Sequence, residues 1–204
     1  MPRTDISKSW RVFQRRVSGG ETARQIGFPA KDGDVSRFLA RFRAARNFRA
    51  AEFAEFTKST ADGYSALIGL LLAWGSFEQL ARISGAVKDD KLDYRKIDEM
   101  FARSSKSLSD RSWNAARPFY GFLATLTSSK ALCRALTAAA DGGDLSPREL
   151  VLALRHSFAH GALTPHFGGS NPRRTIRACR ALTEHLLAIQ VAEFERVVGE
   201  QPGA

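Results

Sequence analysis

From Ala66 to Gly75 the chain runs Ala-Leu-Ile-Gly-Leu-Leu-Leu-Ala-Trp-Gly, without a single charge, hydroxyl or amide side chain. A helix on the surface of a globular protein keeps one apolar stripe and one polar face, so a segment apolar on nearly every side has to be enclosed by other elements. The run is about half the length that spans a bilayer, and Glu78 follows it closely. It therefore predicts the central buried helix of a bundle and no membrane span. Tyr64, Leu67, Leu71, Trp74, Phe77 and Leu80 extend the pattern into one long helix, from near Ser59 or Thr60 to Ser84.

The segments around it also repeat with helical period. Ile6, Trp10, Phe13 and Val17 form one face of a short amphipathic helix, stopped by Ser18-Gly19-Gly20, and residues 18–33 read as a loop. From Asp34, Phe38, Phe42, Phe53 and Phe56 predict a single long helix, supported by Ala44, Ala45, Ala50 and Ala51. A short helix follows with Tyr94, Ile97 and Phe101, then one with Trp113, Phe119, Phe122 and Leu126 that Pro118 must kink or begin. Ala131 to Ala140 is helical and stops at Asp141-Gly142-Gly143-Asp144. Ser146-Pro147-Arg148-Glu149 joins a capping box to a proline at the first helical position and opens a helix ending at Gly161. Asn171-Pro172 opens the last helix, about Arg173 to Val198, with Ile176, Cys179, Leu182, Leu186, Ile189 and Val197 on its seam.

No stretch alternates with the period of a strand, and no repeat of 20–50 residues is present. The expected class is all-α, a compact antiparallel helical bundle. With 204 residues, 44% hydrophobic and 25% charged, the chain suits one globular domain or a domain with an appendage. Two cysteines, Cys133 and Cys179, make no disulfide framework, and Met1 to Asp5 lacks the apolar centre of a secretory signal. A cytoplasmic protein is the expectation.

The net charge of +10 favours a polyanionic partner, because neutralising phosphates releases condensed counterions. The alternative is a solvated basic surface. Two clusters carry much of the charge: Arg37, Arg41, Arg43, Arg46 and Arg49, then Arg173, Arg174, Arg177 and Arg180. Arg173, Arg177 and Arg180 share one helix face, and the planar guanidinium suits bidentate phosphate contact. The phenylalanine stripe of residues 38–56 reads as core rather than as a surface for stacking bases.

No Gly-rich phosphate loop, zinc-spaced cysteine pair or Gly-x-Ser-x-Gly elbow is present. All four histidines, His156, His160, His166 and His185, fall late in the chain. His156 and His160 are i, i+4 neighbours to which His166 would add a third metal ligand, but no matched carboxylate lies between them, so neither metal nor cofactor is expected. The stronger reading is Leu154-Arg155-His156-Ser157-Phe158-Ala159-His160-Gly161, which puts a permanent cation and titratable bases at a helix end. An imidazole can move a proton to or from a ribose oxygen at neutral pH, and a guanidinium can hold the phosphate and its developing charge.

This string resembles the motif of the HEPN superfamily, Arg-x(4–6)-His with a polar residue directly after the arginine, here His156 where Asn or Asp is more usual. The resemblance implies Arg155 and His160 as the catalytic pair, with His156 orienting or assisting. It implies an acidic residue on the preceding core helix, for which Trp74-Gly75-Ser76-Phe77-Glu78 offers Glu78, and a homodimer that brings two motifs to one cleft. It further implies RNA as substrate, cleavage without a metal to a 2′,3′-cyclic phosphate, and a toxin or antiphage setting with a neutralising antitoxin or defence-system partner. Arg173, Arg174, Arg177 and Arg180 would bind flanking phosphates. The likeness covers residues 59–198 as the bundle, leaving 1–58 as an N-terminal helical extension and 199–204 as a disordered tail. Arg180 and His185 satisfy the same spacing, but Ala181 follows that arginine within an amphipathic helix, and the match reads as chance. Two alternatives stay open: a non-catalytic dimeric module that binds RNA or a protein partner through the same arginines, and a weaker one, a helix-turn-helix DNA regulator.

Overall fold

A computed structural model describes residues 6–89, 91–103, 117–159, 161, 164–166 and 172–199. Among them the helices are α1 (Ser7–Ser18), α2 (Ala23–Ile26), α3 (Asp32–Asn47), α4 (Lys58–Ile83), α5 (Tyr94–Arg103), α6 (Arg117–Leu126), α7 (Lys130–Ala140), α8 (Pro147–Ala159) and α9 (Arg173–Gly199). The charged connector after α4 makes a two-residue antiparallel ladder, β1 (Val87–Lys88) on β2 (Lys91–Leu92), with Val87 opposite Leu92. The protein is all-α. Its described residues fall into two compact units, one of 6–47, 72–89, 91–103 and 184–199, the other of 48–71, 117–159, 161, 164–166 and 172–183.

The first unit is organised by aromatic rings. Ile6 at the N-cap of α1 and Trp10 and Phe13 on it are buried, and on α3 so are Val35, Phe38, Leu39, Phe42 and Ala45, one helical stripe each. These stripes meet Phe194 of α9, which is fully buried. Its ring lies 6.5 Å from Trp10, 6.1 Å from Phe13, 5.3 Å from Phe28 and 5.7 Å from Phe38, centre to centre. Such tilted and offset pairs add to the gain from burial itself. A polar knot sits in the same unit. Gln190 is fully buried and donates from Nε2 to the carbonyls of Ala73 (3.2 Å) and Leu186 (3.1 Å). Its Oε1 lies 2.7 Å from the Ser76 hydroxyl, which is itself 2.9 Å from the Ala73 carbonyl. The amide and hydroxyl are thereby satisfied away from water, which buried polar groups require.

Glu193 is 5% exposed and accepts from Arg103 (3.1 Å) and Arg196 (2.7 Å). Burial pushes its carboxyl up, but the hydrogen bonds and charges of Arg196 and Arg103 outweigh that and hold it below the usual carboxylate range.

The second unit is more aliphatic. Leu67, Leu70, Leu123, Leu136, Leu150, Val151, Leu154, Cys179 and Leu182 are buried. Helices α6 and α7 form a hairpin with an end-to-end close approach at Gly121, where a Cβ would sit 3.7 Å from Ala140. Close approach is tighter at Gly63: a Cβ there would stand 2.4 Å from the Pro165 side chain.

Three sequence expectations need correction. The helix expected through Phe53 and Phe56 ends at Asn47. Phe53 and Phe56 instead stack on each other (5.1 Å) and on Tyr64 (5.7 and 5.3 Å), so tertiary ring packing overrides the Ala-rich propensity of the segment. The expected loop over 18–33 contains α2, opened by a capping box between Thr22 and Gln25 and closed by Gly27 at φ 118°. And where no stretch was expected to form a strand, Val87–Lys88 and Lys91–Leu92 pair as a short antiparallel ladder. The remaining boundaries lie close to the expected ones, and Pro118 falls in the first turn of α6; Trp113 lies outside the described residues. Helix α4 is long and apolar enough to cross a membrane by length and composition alone, but 61% of its most apolar window is buried within the fold.

Candidate functional site

Helix α8 is fixed at its start by the capping box. The Ser146 hydroxyl accepts from the Glu149 amide (3.2 Å), and the Glu149 carboxylate accepts from the Ser146 amide (3.1 Å) and hydroxyl (3.0 Å). Leu150, Val151, Ala153, Leu154 and Ser157 are buried on one side. Arg155 is exposed and His156 half-buried, so these two side chains of the motif string face away from the buried side that Leu154 and Ser157 occupy. The chain then turns at Gly161, whose φ of 69° suits a residue without a side chain and whose amide donates to the Phe158 carbonyl (3.0 Å). His160 lies outside the described residues.

The imidazole of His156 has a definite neighbour. Its Nε2 lies 3.1 Å from the hydroxyl of Ser128, a residue of the short turn between α6 and α7. Either atom donates, depending on the tautomer. Ser128 belongs to an open groove of about 570 Å³ lined also by Thr127, Lys130, Cys133 and Arg134. Thr127 and Cys133 are half-buried and form its floor, while Ser128, Lys130 and Arg134 are exposed and form its rim. Arg134 Nε donates to the Lys130 carbonyl (3.4 Å), which draws its guanidinium back toward the start of α7. No carboxylate lies between Asp110 and Asp141 in the sequence, so the local field on this hairpin is positive. These groove residues were missed by sequence reasoning. Their signal was Lys130 and Arg134, one helical turn apart in an acid-free stretch, and only the α6–α7 turn brings it beside His156, 28 residues from Ser128.

Of the other predicted positions, Arg173, Arg174, Arg177 and Arg180 are all exposed on the first turns of α9. Glu78 lies in the first unit, half-buried, and its carboxylate accepts from the Trp74 indole at 2.7 Å. His166 Nε2 is 2.8 Å from the Thr60 hydroxyl. Among the described residues no three His, Cys, Asp or Glu side chains cluster so as to hold a metal ion. His185, of the second Arg-x(4)-His match, is buried against the ring of Phe101 (5.8 Å). Cys179 is fully buried and its thiol is pushed up to about 12 by burial, which makes it inert, whereas Cys133 is partly open. Within the first Arg cluster, Arg37 pairs with Asp34 and Arg41 donates to Gln79 (3.1 Å), so part of that charge is engaged locally.

Chemically, the end of α8 offers a permanent cation facing solvent and an imidazole held by a hydroxyl, beside a cationic groove large enough for a small-molecule group. Such a set can bind and orient a phosphodiester and can support proton transfer without redox chemistry. No family model matches the chain, and neither a curated protein nor a solved structure matches it.

Proposed function

We propose that the protein is a metal-independent endoribonuclease of the HEPN kind. The observation that carries the reading is the string Arg155 to Gly161 at the end of α8, with Arg155 exposed, in a chain of net charge +10. In this reading His160 takes the proton of a ribose 2′-OH, the freed O2′ attacks the adjacent phosphorus, and the bond to the 5′-oxygen breaks. That oxygen leaves with a proton, and the upstream fragment ends in a 2′,3′-cyclic phosphate. Arg155 carries the charge that builds on the phosphoryl oxygens. His156, tethered to Ser128, orients the pair. The same likeness extends the reading to a homodimer with paired motifs, acting in the cytoplasm as a toxin or antiphage component held by a neutralising partner.

The test uses a structured RNA and the matching DNA, incubated with the protein in EDTA. RNA fragments with cyclic phosphate ends are expected, none from DNA, and His160→Ala lowers cleavage by about 10²–10⁴-fold, the usual loss of a general acid–base group. Cleavage of all-deoxy substrate at a comparable rate would rule out attack by the 2′-OH. A second reading, a non-catalytic module that binds RNA or an acidic protein partner, is favoured by the exposed positions of Arg173, Arg174, Arg177 and Arg180. It predicts RNA shifted intact and equally by both proteins, with binding abolished by charge reversal at Arg173 and Arg177.

A further inference from the structure

The groove at the α6–α7 turn is unassigned by the motif. Four observations bear on it. Its volume, about 570 Å³, is within the range of ~300–1,000 Å³ that small-molecule groups occupy. Its floor is Thr127 and Cys133, able to lie against a flat apolar ring, and its rim carries Lys130 and Arg134 one helical turn apart on α7. Neither cation forms an ion pair among the described residues, and no acidic residue falls on α6 or α7. Finally, Ser128 on the same rim is within hydrogen-bonding distance of His156, which adjoins Arg155 in sequence, so the groove is joined to the motif helix by a direct contact. A ring-bearing anion fits all four; a simple inorganic anion leaves the floor unused.

We propose that this groove seats one nucleotide of the RNA strand next to the phosphate held by Arg155, its phosphodiester on Lys130 and Arg134 and its base over Thr127 and Cys133. The choice of RNA rests on the ribonuclease reading above. Ser128 then has two roles, fixing His156 and bordering the ribose. The arrangement places substrate recognition on a hairpin distinct from the arginine row of α9.

Cys133 makes the groove directly observable. The protein is alkylated with N-ethylmaleimide, and the rate at Cys133 is read by peptide mass spectrometry, with buried Cys179 as the unreactive control. The probe is a short oligoribonucleotide with 2′-O-methyl groups, which binds but cannot be cleaved because the attacking oxygen is blocked. Several-fold slower alkylation of Cys133 is expected with the oligonucleotide, in wild type and in His160→Ala alike, and no slowing with inorganic phosphate at the same concentration. Lys130→Ala with Arg134→Ala, both at exposed positions, removes the protection while leaving thermal unfolding unchanged. It also lowers the slope of log affinity against log salt by about 1.4, the loss of two single-strand phosphate contacts. An unchanged Cys133 rate under saturating oligonucleotide, or equal protection by inorganic phosphate, overturns the proposal. Protection without any cleavage of unmodified RNA keeps the groove as an RNA seat and sinks the nuclease reading; cleavage lost in His160→Ala with Cys133 unprotected does the reverse.

Discussion

The two units of this protein invest their side chains differently. The first is held by rings and by satisfied buried polar groups: Phe194 among Trp10, Phe13, Phe28 and Phe38, and Gln190 clasped by Ser76, Ala73 and Leu186. The second has an aliphatic core and close backbone approaches, and it carries the motif helix α8, the arginine row of α9 and the groove at Ser128 to Arg134. The contrast teaches where in the molecule to look for function. A buried aromatic hub answers to stability; exposed guanidinium groups and a cationic recess present their charge to solvent.

The contrast is tested most severely at Phe194. Phe194→Ala should destabilise the protein by about 3–5 kcal/mol, the usual cost of emptying a large ring site, as read by chemical denaturation. A cost below about 1 kcal/mol would mean that the hub is not what holds the first unit. Gly63→Ala comes next, because its methyl group would meet Pro165 at 2.4 Å. The segment around Pro165 is pinned by Thr60 to His166 (2.8 Å) and by Thr175 to the Pro165 carbonyl (3.4 Å), so it yields only at a cost of about 1–3 kcal/mol. A neutral effect would show that the second unit tolerates loose packing there.

The smallest effect belongs to Glu193. Its folded carboxyl is held below its unfolded range, net of burial, by Arg196 and Arg103. The stability it contributes is therefore present above the unfolded glutamate value, near 4.3, and is lost as pH falls through the folded one. Both arginines are partly open to water, with 46% and 40% of their side chains exposed, so Glu193→Gln should cost about 1 kcal/mol or less at neutral pH. The variant should also show a flatter loss of stability on acidification below about pH 4. Identical acid profiles for the two proteins would show that the pair contributes nothing.

Much of this architecture was legible in the sequence where local rules and tertiary packing agree. Ile6, Trp10 and Phe13 marked α1, Ser146 to Glu149 marked the start of α8, and the Ala66–Gly75 run marked a core helix. Legibility failed where remote partners decide. Residues 48–57 have the alanines of a helix, yet Phe53 and Phe56 are claimed by Tyr64. The capping box of Thr22 and Gln25 lies in a segment whose glycines and proline read as a loop. For the candidate site, Arg155 and His156 stood out in the sequence as a cation and an imidazole near a helix end, and their roles came from the resemblance alone. Ser128 did not stand out, because nothing local to residue 128 announces a histidine 28 positions later.

The hub also sets a timetable for synthesis. Phe194 emerges after nearly all of its partners, and in the same unit Ser9 hydrogen-bonds Glu195 across 186 residues. At ordinary translation rates of ~5–20 residues per second, the apolar stripes of α1 and α3 wait roughly 10–40 s for the last helix to cover them. A nascent chain with Trp10, Phe13, Phe38 and Phe42 uncovered for that interval is a ready client for holdase chaperones, and slowing translation between α3 and α9 should lower the yield of native protein more than slowing it within α1.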